Sequence, residues 1–184
     1  LDAEVIKMNQ QAWSYLNNQL AEEVKWMKEA EKKGENHLDP SEMALQCLYT
    51  DALEKNQRMT ADVRKYLVGK LEKMSGQLTI YGKALSAIIL KEAGKEAKAK
   101  KFLESLMQYS VMTEEMGRYF DTPKAEYSWF SYRIPTQVAA IEAVKCIANE
   151  EKTQEEMKRW LLKQKQAQAW DTPIATADAV YALL

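Results

Sequence analysis

The chain has 184 residues, 46% of them hydrophobic, with five Trp and nine Tyr; that content excludes wholesale disorder and suffices for one domain with a sizeable core. With a formal net charge of -1 and acids and bases interleaved, neither a basic nucleic-acid face nor an acidic tail is read from the charge balance. Six Gly and four Pro, against abundant Ala, Leu, Lys, Glu, Gln and Met, favour helix over strand.

The first element is a helix over residues 2–33, in one piece or two: Trp13, Leu16, Leu20, Val24 and Met27 step by three or four, and Gly34 ends the pattern. The loop through His37, Asp39 and Pro40 carries turn chemistry, with Asp39 or Ser41 as the cap of a helix over 41–55. A partner helix over 60–74 turns Ala61, Tyr66, Leu67 and Leu71 inward, and Ser75 with Gly76 breaks it. A second pair follows over 77–93 and 95–112, divided by Gly94. Residues 117–133 are aromatic, carry a central Thr122-Pro123 and lack helical periodicity, so an extended loop or short hairpin is expected there. Helix resumes near Pro135 to about 149, a partner covers 153–168, and a last helix begins after Asp171-Thr172-Pro173.

The longest apolar run, Ala87-Ile88-Ile89-Leu90, is too short to span a bilayer, and residues 1–4 do not begin a signal peptide. The chain lacks an initiating Met and stops at Leu184 inside a helical pattern without a C-cap, so the sequence reads as a piece cut at both ends from a longer protein. Cys47 and Cys146 have neither redox nor zinc spacing, and no cofactor is implied.

An internal repeat organises these elements. Ala44-Leu45, Ala84-Leu85, Ala139-Ala140 and Ala179-Val180 occupy equivalent places in four Ala-rich helices, spaced by 40, 55 and 40 residues, with the aromatic insertion inside the long interval. More charged helices alternate with them and carry the aromatic-Leu pairs Tyr66-Leu67, Phe102-Leu103 and Trp160-Leu161; Tyr15-Leu16 fits the same slot, with its small-residue partner upstream of Leu1. The pattern predicts an all-α stack of helical hairpins, with Ala-rich helices crowded inside and charged helices outside. It fits an α/α barrel or an open solenoid equally.

Two segments carry a family resemblance: Trp160-Leu-Leu-Lys-Gln-Lys-Gln166 running into Trp170-Asp-Thr-Pro-Ile-Ala-Thr-Ala-Asp-Ala-Val-Tyr-Ala-Leu-Leu184, and Tyr127-Ser-Trp129 running into Pro135-Thr-Gln-Val-Ala-Ala-Ile-Glu-Ala143. They resemble the thioester-domain region of bacterial α2-macroglobulins, particularly the large Bacteroides-type proteins, and the hairpins of residues 41–112 look like the same domain. The resemblance implies that residues 1–184 are one partial α/α toroid, of the terpenoid cyclase and prenyltransferase-like barrel type. It implies a non-catalytic part of an envelope-associated protease inhibitor, periplasmic or anchored at the outer membrane. Its partners would be the other domains of the parent protein and, through the parent, the trapped protease. Many members close a thioester from Cys-x-Glu-Gln. Cys47 has Thr50 three residues on and Cys146 has Asn149, so neither belongs to such a motif.

Other readings stand beside this one. Asp39, Asp121, Glu126 and Asp171 at turns, with Tyr119, Trp129, Tyr132 and Trp170 as sugar-stacking rings, would suit a carbohydrate-active α/α barrel. Asp39 and Asp171 equally suit helix N-caps, and the lone His37 suits a surface loop. A helical-repeat binding module is the third reading. The aromatic insertion is a lid over one end of the barrel or an interdomain contact, for which Tyr119, Trp129, Tyr132 and Trp170 are the candidates, with Trp129 mostly buried. The last helix is expected to expose Val180, Leu183 and Leu184 where an outer helix is missing.

Overall fold

The computed structural model describes residues 2–35, 38–55, 58–74, 78–121, 133–167 and 173–184. The fold is predominantly helical, with one two-stranded antiparallel hairpin, and the chain divides into two compact units, Leu1–Met74 and Ser75–Leu184.

The first unit contains α1 (Ala3–Lys32), α2 (Glu42–Glu54) and α3 (Ala61–Lys73). α1 is one unbroken helix of 30 residues. Asp2 caps its start by accepting from the Glu4 amide at 3.1 Å. Gly34, at φ 93°, ends it in a Schellman turn: the Gly34 amide donates to Glu31 O at 3.0 Å and the Glu35 amide to Ala30 O at 3.1 Å. Leu20, Val24 and Met27 form the buried stripe of α1, which packs on α3. In α3 the inward positions are Val63, Leu67 and Leu71, one turn apart. Ala61, expected inward, is exposed, because α3 starts at that residue and its stripe is phased two residues later.

Ser41, not the exposed Asp39, caps α2: its Oγ accepts from the Ala44 amide at 3.1 Å. The same hydroxyl donates to Glu23 Oε2 at 2.7 Å, and the Ser41 amide donates to Glu23 Oε1 at 2.8 Å, so a side chain of α1 fixes where α2 begins. Asp51, 2% exposed, holds the chain between α2 and α3. Its Oδ1 accepts from the amides of Arg58 and Met59 at 2.6 and 3.3 Å, and its Oδ2 lies 3.3 Å from Arg64 Nε.

The second unit contains α4 (Ile80–Glu92), α5 (Glu96–Met107), β1 (Ser110–Thr113), β2 (Gly117–Phe120), α6 (Arg133–Ala143), a π-helical turn (Val144–Ala148), α7 (Glu151–Ala167) and α8 (Pro173–Leu183). α4 is its central helix, buried without interruption from Gly82 to Leu90, which accounts for its apolar character on every face. It ends in the same turn as α1: Gly94 at φ 75° donates to Lys91 O at 3.0 Å and the Lys95 amide to Leu90 O at 2.8 Å. α4 packs on α5 and on α6, and α6 packs on α8. Ala84, Ala139, Ala140, Ala143, Ala175 and Ala179 are all buried, so small side chains lie where these helices approach.

The helix expected over 95–112 ends at Met107. Ser110 Oγ turns back onto Met107 O at 2.8 Å, and the following Ser-Val-Met-Thr run pairs with β2, Val111 facing Tyr119 and Thr113 facing Gly117. Val111 and Met112 are exposed, so this strand is held by its partner strand and not by an apolar face of its own. The hairpin therefore draws its first strand from residues assigned to helix and its second from the aromatic insertion.

Candidate functional site

The hairpin and α7 together make the most specific polar construction in the second unit. Gly117, at φ 78°, starts β2 so close to α7 that a Cβ built on it would lie 2.2 Å from the Glu156 carbonyl oxygen. Only glycine suits both the left-handed backbone and that approach. From the next residue, Arg118 Nε donates to Glu156 Oε2 at 2.9 Å and Nη1 to Ser110 Oγ at 3.1 Å. Tyr119 follows, stacked nearly parallel on Trp160 with ring centroids 6.1 Å apart. Arg133 lies over the same indole at 5.7 Å. Gln137, 1% exposed, closes the construction from α6: its Nε2 donates to Arg118 O at 2.8 Å and to Met157 O at 3.1 Å.

Beside this clamp lies a pocket of about 390 Å³ whose lining includes Leu103, Met107, Arg118, Val144 and Ile147. Its other charged lining residues are Lys100, Glu104 and Glu150. The π-turn supplies part of the wall, and the Asn149 amide closes the turn on Val144 O at 2.8 Å with Asn149 itself at φ 53°. Here it forms the last turn of the helix begun by α6, and such wider turns recur where helices border binding sites.

Burial, together with Glu142, pushes the half-buried Cys146 thiol up to about 12; its Sγ donates to Glu142 Oε1 at 3.3 Å. Burial also raises Cys47, which is 5% exposed, and no disulfide joins the two thiols. Burial raises the Asp178 carboxyl on α8. In the first unit burial and the neighbouring Glu31 carboxylate push the Tyr66 phenol up to about 12, while Lys70, ion-paired with Glu31, holds that carboxyl down. Among the described residues no group of three or more His, Cys, Asp or Glu is placed to hold a metal ion.

Of the four residues expected at an interdomain contact, Tyr119 is half-buried and committed to Trp160 on one ring face. Trp129, Tyr132 and Trp170 lie outside the described residues, as do His37, Glu126 and Asp171. Asp39 and Asp121 are exposed. Sequence reasoning missed Gln137, Arg118 and Gly117, whose roles depend on contacts between elements. It also missed Lys83, 3% exposed within α4, whose Nζ donates to Ser105 Oγ at 2.8 Å and sits 4.9 Å from the Tyr109 ring centroid. No protein-family model, curated protein or solved structure matches the chain.

Proposed function

We propose that this chain is a non-catalytic helical domain of a bacterial α2-macroglobulin-like protease-trapping inhibitor, of the α/α-toroid type and equivalent to the thioester-domain region. The observation that carries the reading is the arrangement of the second unit. Small-residue helices α4, α6 and α8 pack in sequence, and the more charged α5 and α7 alternate with them along the chain. That alternation is the one a toroid of helical hairpins would require, and the described parts of the segments resembling the inhibitor family, residues 135–143, 160–166 and 173–184, fall on α6, α7 and α8 with the final residue beyond.

In this reading the domain sits in the cell envelope, its partners are the other domains of the parent protein, and the aromatic insertion with Trp170 contacts one of them. Covalent capture does not start from Cys47 or Cys146, since neither has Gln three residues on. A thioester, if the parent forms one, comes from another part of the protein. The test uses the full-length protein that carries this chain, mixed with trypsin at equimolar ratio. Trapping leaves trypsin active on a small chromogenic peptide while its cleavage of casein falls severalfold, because a caged protease admits only small substrates. Equal activity on both substrates, with and without the protein, overturns the reading. Release of one thiol by methylamine would further place a thioester elsewhere in the parent.

A further inference from the structure

The pocket beside the π-turn carries an inference beyond the trapping role and independent of it. Its volume of about 390 Å³ falls within the range of small-molecule sites, roughly 300 to 1,000 Å³. Leu103, Met107, Val144 and Ile147 give it an apolar lining. At its wall the Arg118 guanidinium is incompletely used: Nε and Nη1 have acceptors in Glu156 and Ser110, and Nη2 has none among the described residues. The Arg118 side chain is 26% exposed, so its guanidinium is partly shielded from water.

Charge decides what the donor receives. Among the charged lining residues Lys100 and Arg118 balance Glu104 and Glu150, and Glu156 neutralises Arg118 from behind. An anionic ligand would meet no net positive surround, and a cationic one would meet the guanidinium at the partly buried wall. A neutral acceptor avoids both penalties. We propose that this pocket binds a small, neutral, largely apolar carboxamide, whose carbonyl oxygen accepts from Arg118 while its apolar body lies against Leu103, Met107, Val144 and Ile147.

Three probes of nearly equal size separate the alternatives: benzamide, benzoate and benzylamine, titrated into the 184-residue chain and followed by amide chemical shifts. Benzamide is expected to give saturable shifts at the lining residues, with binding at least about threefold tighter than either charged analogue. Ala148→Trp, at an exposed lining position, should fill the pocket and abolish those shifts while the melting temperature stays unchanged. Ile147→Trp provides a second blocking variant. The absence of saturable benzamide shifts overturns the proposal. So does equal binding of benzoate or benzylamine, or undiminished benzamide binding in a folded blocking variant. None of these results bears on protease trapping, which the casein assay reads separately.

Discussion

Gly117 and Glu156 meet backbone to backbone: a Cβ on Gly117 would fall 2.2 Å from the Glu156 carbonyl oxygen and 3.1 Å from Arg159 Cβ. The nearest obstacle is backbone in the middle of α7, which cannot rotate away as a flexible side chain would. Gly117→Ala therefore combines a left-handed backbone penalty of about 1–2 kcal/mol with displacement of the hairpin, for a total of about 3 kcal/mol or more. Urea unfolding followed by circular dichroism reads this directly; a loss below about 0.5 kcal/mol would show that β2 does not rest on α7 as described.

Gln137 gives a second measurement on the same clamp. Its amide is the donor to both Arg118 O and Met157 O, and Gln137→Leu keeps most of the volume while removing both hydrogen bonds; Met157 O, inside α7, keeps its helical one. At about 0.5–1.5 kcal/mol for each bond, the expected loss is about 1–3 kcal/mol. Gln137→Glu should be worse at neutral pH, since a carboxylate would face two carbonyl oxygens. A Glu variant more stable than the Leu variant at pH 7 would contradict the assigned donor.

In the first unit Asp51→Ala removes the acceptor for two loop amides together with the partner of Arg64, and should cost about 3 kcal/mol. Asp51→Asn keeps an Oδ1 acceptor and loses the ionic attraction, so it should cost clearly less. Equal losses in the two variants would mean that the hydrogen bonds to Arg58 and Met59 contribute nothing.

Alkaline pH should weaken the protein through Tyr66 and Cys146, both pushed up to about 12. A raised pKa means that the folded state favours the neutral form. The associated stability is fully present below the ordinary values, 10.0 for the phenol and 9.0 for the thiol, and is lost as pH rises toward 12. Melting temperatures measured from pH 8 upward should fall, and Tyr66→Phe should flatten the upper part of that decline. An unchanged slope in Tyr66→Phe would dissociate the phenol from alkaline unfolding.

The same shift makes Cys146 slow to alkylate. Moving from the ordinary 9.0 to about 12 leaves roughly a thousandfold less thiolate at pH 8. Iodoacetamide labelling located by peptide mass mapping should therefore proceed far more slowly at Cys146 than at a free thiol. Glu142→Gln should speed it, because the neighbouring carboxylate holds the proton on sulfur. Rapid labelling of Cys146 at pH 8 would contradict the environment described.

Helix positions were legible in the sequence because their signals are local. Ser41 with its three-residue reach to Ala44, and Gly34 and Gly94 at left-handed turns, mark boundaries that need no tertiary information. The repeat placed Ala44, Ala84, Ala139 and Ala179 at buried sites, and all four are 3% exposed or less. Its outer slot held less well: Phe102 and Trp160 are buried, but Tyr15 is 63% exposed. An aromatic residue fits either environment, and the tertiary partner decides. The clamp was not legible for the same reason. Gly117, Arg118 and Gln137 acquire their roles from residues 8 to 42 positions away, and single-residue propensity carries no such distance.

The π-turn gives the 40-residue spacing between Ala139 and Ala179 a meaning that counting alone conceals. A wider π-turn takes up residues 144–148 of that interval, whereas the equal interval from Ala44 to Ala84 contains no such turn among its described residues. Deleting the exposed Lys145 would leave the composition of the repeat nearly intact, yet turn Cys146, Ile147 and Ala148 by one helical position, about 100°, before the chain leaves the helix at Asn149. Ile147 would then leave the pocket wall while Val144 kept its place, with no helix lost.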